Sequence, residues 1–364
     1  MPLTKVQFSP GFNKQITATG AENQWVDGDF VRFRYGMPEK IGGWQEIKDS
    51  KLVGAARELH SWSDLDGRRF LAIGTNKILY IYNGDDFYDI TPLDANLART
   101  SCNITTTSGS NIVTITSPSP HALEPGDLLT FANAGSFNAA QTGYVAADFD
   151  DVKFEVQLAP TATTFTIKMA SNESGSGTTN NGTLDSKPYY RVGPLLQSFG
   201  YGWGTSLWGN STWNTPRSSS NAVLDPASWS LDNYGELLIA TIKNGSTFSW
   251  DPNDGTGINT RAVLLSGAPT KSVMSIVSER DRHLIILGTE TTIGTATTQD
   301  KMFIRFSDQE SLTDYTATST NTAGSFRIDS GTKIIGAAKA KDYILILTDT
   351  SAYLLQFVGP PFTF

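Results

Sequence analysis

Three histidines, His60, His121 and His283, are the only imidazoles in 364 residues, so any general base or nitrogen ligand of that kind must come from them. They lie far apart, with none of the short spacings that put two ligands on one helix face or hairpin. His60, in AARELHSWSD, sits beside an apolar run and reads as a hydrogen-bonded core or edge residue. His121 stands in the turn signature PSPHALEPGD, where an imidazole can cap or brace a loop. His283 follows Asp281-Arg282 at the mouth of a strand, a place where Asp–His pairing is common without catalysis. The carboxylate pairs Asp27/Asp29 in VDGDF and Asp85/Asp86 in NGDDF read as turn residues that accept backbone hydrogen bonds. The segment DPNDGTG (251–257) looks like the start of a calcium loop. Its twelfth position is Ala262, where such a loop needs a bidentate glutamate. There is no nucleophile elbow, dinucleotide fingerprint or phosphate loop. Two carboxylates brought together only by folding would leave no linear trace, but no residue pattern asks for them. The sequence therefore reads as non-enzymatic, with no cofactor and no metal.

Binding chemistry has better candidates. In VRFRYGMPEKIGGWQEI (31–47), Val31, Phe33 and Tyr35 alternate with Arg32 and Arg34, the period of a half-buried strand. Gly36–Pro38 predicts a turn, and Trp44 supplies an apolar anchor after a glycine pair. Arg32 and Arg34 then lie on a solvent face, available to local acids or to a nucleic-acid backbone. The stretch FGYGWGTSLWGNSTWNTP (199–216) concentrates Trp203, Trp208 and Trp213 among glycines. It reads as packing between sheets, with an interface loop and a sugar-stacking platform as the alternatives. Arg32, Arg34, Trp44, His121, Trp203, Trp208 and Trp213 are the interface candidates.

These residues must be held by short strands. Charged residues are 18% of the chain, and there are 33 glycines and 16 prolines, a mixture that favours turns and strands over long helices. A formal charge of -8 argues against a general nucleic-acid coat, which needs clustered Lys and Arg. The lone Cys102 excludes an intrachain disulfide framework. No apolar run is long enough for a transmembrane helix, and the first residues lack the apolar core of a signal peptide. The apolar ending AYLLQFVGPPFTF suggests a docked end or a piece of a longer chain.

A loose repeat runs through the sequence: an apolar run, a turn, then a strand carrying aromatics. It appears in RFLAIGTNKILYIY (69–82), YGELLIATIKNGSTFSW (234–250), RHLIILGT with KMFIRFSD (282–308), and KDYILILTDTSAYLLQF (341–357). Consecutive hairpins at this spacing suit a mainly β chain folded as a β-propeller, with a large sandwich as the plainer alternative. Residues 97–186 break the register with threonine-rich strands. They read as an inserted small β-barrel or sandwich, between first blades at 1–96 and remaining blades at 187–364. Removing the insert leaves enough chain for about six blades. The polar tract SNESGSGTTNNGTLDS (171–186) reads as a return linker or exposed loop.

The run NQWVDGDFVRFRYGMPEKIGGWQEI (23–47) resembles the start of the tail nozzle or packaged-DNA stabilisation proteins of short-tailed bacteriophages. The insert, through SPHALEPGDLLTFANAG (119–135) and the later APTATTFTI, resembles a β-module common in phage tail proteins. His121, Leu123, Gly126, Asp127 and Thr163–Thr166 match that module's pattern. The resemblance covers residues 1–190; the later repeats fit only through their β grammar. It implies a propeller with an inserted module, assembled as a homo-oligomeric, typically hexameric, ring below the portal and its adaptor. Fibre or spike proteins would attach around the ring. Such a protein retains the packaged double-stranded DNA, forms its exit channel, resides in the virion tail and is assembled in the host cytoplasm. A carbohydrate-binding or glycan-degrading propeller of the tail is the alternative.

Overall fold

The computed structural model describes residues 8–43, 45–48, 51–135, 143–178, 183–196, 225–255, 257–359 and 363–364. Two compact units result, Met1–Lys51 and Leu52–Phe364. In the first, β1 (Ser9–Phe12) pairs in parallel with β2 (Gln24–Trp25), and β3 (Val31–Arg34) forms a hairpin with β4 (Met37–Lys40). The hairpin turn is Tyr35-Gly36, with φ of 51° and 79°. Two successive positive φ values give a turn whose twist matches that of the flanking strands. The predicted Gly-Met-Pro turn is thus displaced by one residue, and Pro38 sits in a strand opposite Phe33. Phe12 and Phe33 meet edge-on at 5.3 Å, and Phe8 lies 5.3 Å from Trp25. The block expected to open a blade therefore belongs to a small unit with its own aromatic contacts.

The second unit is the propeller-like body. Its first sheet runs β5 (Ala56–Ser63), β6 (Arg69–Thr75), β7 (Leu79–Tyr82), β8 (Phe87–Asp89), each strand antiparallel to the next. The inserted module follows: β9 (Arg99–Thr106), β10 (Ile112–Thr116), β11 (Leu128–Ala132), β12 (Lys153–Thr161), β13 (Thr164–Lys168), β14 (Gly177–Thr178) and β15 (Leu184–Pro188). Pairing in the order β9-β10-β13-β12-β11-β15 and back to β9 closes a six-stranded barrel, with β14 added alongside β9. Closure removes exposed sheet edges from the module. Its interior is filled by Cys102, Ile104, Val113, Ile115, Leu129, Phe131, Phe154, Val156, Phe165 and Ile167, and burial pushes the Cys102 thiol pKa up.

The tract read as a return linker is corrected here. It carries β14 and the closing strand β15, whose Leu184, Ser186 and Pro188 alternate inward. That period-2 signal is only five residues long and begins beside a polar run, which hid it from composition.

Three more sheets complete the unit. The second is β16 (Trp229–Tyr234), β17 (Leu237–Ile242), β18 (Thr247–Trp250), β19 (Val263–Leu264). The third is β20 (Met274–Ser278), β21 (His283–Leu287), β22 (Phe303–Phe306), β23 (Gly324–Arg327), and the fourth is β24 (Ile334–Lys339), β25 (Ile344–Thr348), β26 (Ala352–Leu355). The first strands β5, β16, β20 and β24 lie against one another in that order. Mainly β architecture, propeller-like sheets and an inserted barrel are as the sequence predicted. Among the described residues there are four blade-like sheets, where spacing suggested about six.

Burial on both faces explains the unbroken apolar runs. In β17, Leu238, Ala240 and Ile242 face the first sheet, while Ile239 faces the third. In β21, Leu284 and Ile286 face the second sheet, and Ile285 and Leu287 face the fourth. Between the first two sheets Trp62, Phe70, Trp229, Phe248 and Trp250 pack together. Each indole N–H reaches a carbonyl: Trp62 donates to Glu236 O at 3.0 Å, Trp229 to Thr75 O at 2.9 Å and Trp250 to Thr260 O at 2.9 Å. These bonds let large amphipathic rings be buried without an unsatisfied donor. Gly74 is required by this packing, since a Cβ there would stand 2.7 Å from Trp229 Cδ1 and 2.9 Å from its Cβ.

Gly74→Val should lower the unfolding free energy by about 1–3 kcal/mol, the usual cost of overpacking a tight core. Chemical denaturation measures it. Gly336→Ala, which meets nothing within 4 Å, should stay within about 0.5 kcal/mol.

Candidate functional site

The interface candidates that the structure describes are Arg32 and Arg34 in the first unit and His121 in the second. Arg32 Nε donates to Glu39 Oε2 at 3.2 Å across the β3–β4 hairpin, and Arg34 lies 5.5 Å from the Tyr35 ring centre. Trp44, Trp203, Trp208 and Trp213 lie outside the described residues. His121 is buried at 1% exposure rather than presented to a partner. Its Nδ1 accepts from the Leu123 N–H at 2.9 Å, and its ring meets Phe165 edge-on at 5.1 Å. The module's His-x-Leu signature is thus a turn brace, and His121 is corrected from interface to core. His60 Nε2 lies 2.9 Å from Asn233 Oδ1, linking the first and second sheets. His283 is fully buried, with Nδ1 2.8 Å from Ser307 O and Phe306, Phe357 and Phe364 around the ring. Asp251 and Asn253 form a turn in which Asp251 Oδ1 accepts from Asn253 N–H at 2.8 Å, and the Asn253 side chain bonds Glu236 and Arg68.

The structure assembles a different site where the barrel joins the stack. Asp89, at the end of β8, accepts from Tyr189 OH at 2.9 Å and from Thr91 Oγ1 at 2.7 Å. Arg261, from the second sheet's outer loop, donates to Tyr189 OH at 2.8 Å and to Thr91 O at 2.9 Å, and lies 3.6 Å from Asp89 Oδ1. Its guanidinium also stacks on the Tyr189 ring at 4.6 Å. Lys153 of β12 brings a second cation to 3.6 Å from Asp89 Oδ2. Burial, and then the Asp89 charge, hold the Tyr189 hydroxyl protonated far above its ordinary range, so it stays a donor to the carboxylate. Beside this network Lys77 of the first sheet meets Glu155 of the barrel at 3.1 Å. Ile73, Ile78, Tyr80, Leu128 and Tyr189 form the apolar layer under it.

A second latch starts two residues after Tyr189. Arg191 Nε donates to Asp127 Oδ1 at 2.9 Å and Nη2 to Oδ2 at 2.5 Å, a bidentate pair, while Nη2 also reaches Ala122 O at 2.7 Å. The hydrogen bond to Asp127 raises the Arg191 pKa. One side chain thereby holds the His121–Asp127 turn against the exit strand. Between the latches is an open cleft of about 520 Å³ lined by Lys77, Asp127, Tyr189, Arg191 and Leu195. Asp89, Tyr189, Arg191 and Arg261 were not singled out from sequence. The available signal was position: Asp89, Tyr189 and Arg191 flank the points where the insert leaves and rejoins the repeat.

A further cleft, of about 540 Å³, lies between the first hairpin turns of the third and fourth sheets. Glu279, Arg280, Asp281, Lys339, Asp342 and Tyr343 line it, with Phe357 and Phe364 on one wall. Lys339 bridges Glu279 and the buried Asp232, both at 2.7 Å, and Arg280 meets Asp342 at 3.2 Å. The cleft presents paired charges beside aromatic rings, a surface able to hydrogen-bond and stack on a polar ligand.

No family model and no curated protein matched the sequence. Solved structures that matched include an endosialidase of phage phi92, at 14% identity and a TM-score of 0.22 over 85% of this chain and 43% of that one. Hsv2 of Kluyveromyces lactis matched at 13% identity and a TM-score of 0.24, over 80% of this chain and 72% of that one. The chain spans less than half of the endosialidase it matches. Likeness this distant assigns neither activity nor ligand. The expectation of a non-enzymatic chain is nonetheless withdrawn, because one of the matched structures is an enzyme by name.

Asp89→Ala should strand two cations and the Tyr189 hydroxyl. Its expected cost is about 1–3 kcal/mol, with faster hydrogen exchange in β15 and at the start of β11 while the barrel interior stays protected. Exchange mass spectrometry reads both regions in one experiment.

Proposed function

We propose that this chain is a structural protein of a short-tailed phage virion, a tail nozzle or hub subunit. Copies of it would form a ring, typically of six, below the portal and its adaptor. The ring would retain packaged double-stranded DNA and line its exit path, with fibre or spike proteins attached outside. The chain would reside in the virion tail and be assembled in the host cytoplasm. The observation that carries this reading is the β3–β4 block, whose sequence resembles the start of that family. There Phe30, Tyr35 and Met37 are 76%, 92% and 70% exposed. Large apolar side chains held in solvent on a hairpin suit a subunit that is covered in an assembly. The latched barrel supports the same reading, since a docking arm transmits load only if its base is fixed. A net charge of -8 suits a surface past which DNA must slide without sticking.

A second reading, a carbohydrate-binding tail protein, is favoured by the cleft of Tyr343, Phe357, Phe364 and the surrounding charged side chains. Aromatic faces stack on sugar rings while paired charges bond hydroxyls.

Symmetry-resolved electron microscopy of purified virions separates the two. A six-fold ring of this chain on the tail axis is the expected result. Its absence from the axis, with glycan binding that disappears in Tyr343→Ala, would replace the first reading by the second.

A further inference from the structure

The chain is acidic overall, with a formal charge of -8, yet lysines from three successive sheets meet at one small pocket. Lys243 follows β17 of the second sheet, Lys301 precedes β22 of the third, and Lys333 precedes β24 of the fourth. The pocket has a volume of about 80 Å³. Among the described residues its lining also includes Asp225, Asn244 and the buried Val273 and Ile334. It lies at the opposite end of β24 from the cleft that Lys339 lines.

The charge in this pocket is not balanced. Asp225 reaches Lys243 at 3.6 Å, and among the described residues neither Lys301 nor Lys333 has an ion pair. The acids nearest them in sequence are committed elsewhere. Asp300 Oδ2 accepts from Arg327 Nε at 2.7 Å, and Asp349 accepts from the Thr332 N–H at 2.8 Å and from its hydroxyl. Two positive charges are thus in excess over a partly apolar floor, where water screens them less than in bulk. Backbone bonds hold their roots in place. Lys301 O accepts from the Ile334 N–H at 3.0 Å, which sets Lys301 beside the start of β24, and the Lys243 N–H donates to Ser228 O at 3.0 Å. Like charges so placed repel, and an anion between them removes the repulsion.

We propose that this pocket binds a compact tetrahedral oxyanion, either a phosphate ion or the terminal phosphoryl group of a phosphomonoester. The ammonium groups are point charges of the kind that hold phosphate oxygens, and the two in excess match a dianion. Asn244 adds amide N–H groups, since its Oδ1 already accepts from Gln299 Nε2 at 3.4 Å. The volume is that of a few waters, each of which takes about 30 Å³ in the liquid. It admits one phosphoryl group and leaves no room for a sugar ring beside it. Asp225 is the one lining group opposed to an anion, and its contact with Lys243 leaves Lys301 and Lys333 as the principal cations. The proposal does not rest on the virion reading.

Isothermal titration calorimetry with sodium phosphate, at constant ionic strength in an amine buffer free of oxyanions, tests it. Wild type should bind one phosphate with a Kd of about 0.1–1 mM, an affinity that a few charge-assisted bonds supply. Lys301→Ala combined with Lys333→Ala should weaken binding at least about tenfold, with a melting temperature in phosphate-free buffer no lower than that of wild type. Asp225→Asn should tighten binding, because the acid opposed to the anion is gone. Lys341→Ala, which removes an exposed lysine beyond the far end of β24, should bind like wild type. Glycerol 3-phosphate as a second titrant separates the two sources: tighter binding than phosphate assigns the phosphomonoester, and equal or weaker binding the free ion. No saturable binding to wild type, or binding that survives the double substitution, would overturn the proposal.

Discussion

One partly buried carboxylate, Asp89, sets the relation between the barrel and the sheets. It ends the last strand of the first sheet, and apart from the neighbouring Thr91 the groups around it come from elsewhere in the chain. Tyr189 comes from the barrel's exit, Lys153 from a barrel strand and Arg261 from the second sheet. At about a fifth exposed, the charge is only partly solvated and needs these partners. Their geometry then fixes the barrel on the stack more narrowly than the apolar layer beneath could, because hydrogen bonds are directional and hydrophobic contact is not. The Arg191–Asp127 fork adds a second fixed point, and two points resist rotation where one would act as a pivot.

This arrangement explains how a module can be inserted in a repeat without disturbing it. The chain leaves after β8 and returns before β16, both in the same unit, so the host sheets keep their order while the closed barrel satisfies its own backbone. The barrel also covers Ile73 and Tyr80 on the outer face of the first sheet. Its role is therefore built into the fold of the body as well as into whatever the module contacts.

Strand runs such as RFLAIG, LLIAT and HLIIL were legible because burial on both faces makes them continuously apolar, and the barrel was legible because its register differs from theirs. The β3–β4 hairpin was legible as a strand pair, but its membership of a separate unit was not, since period 2 describes a strand without naming its neighbours. β15 was missed because five alternating residues follow a polar tract. At the site, the reading of His121 as a turn brace held and its place among the interface candidates did not, whereas Asp89, Tyr189 and Arg261 were overlooked. A long-range polar network has no linear spacing: Tyr189 lies 100 residues from Asp89 and 72 from Arg261, and only the fold brings them together.

The central claim is that the barrel is held rigidly on the stack, and a distance distribution tests it directly. Spin labels at Thr107→Cys, in an exposed barrel turn, and Lys341→Cys, in an exposed turn of the fourth sheet, can be measured by double electron–electron resonance in dilute solution. The native Cys102 is fully buried and should stay unlabelled. A single narrow distribution is expected, broadening when Asp89→Ala and Arg191→Ala are combined. A broad distribution in the otherwise native chain would contradict the account, because it would mean that the barrel swings despite both latches.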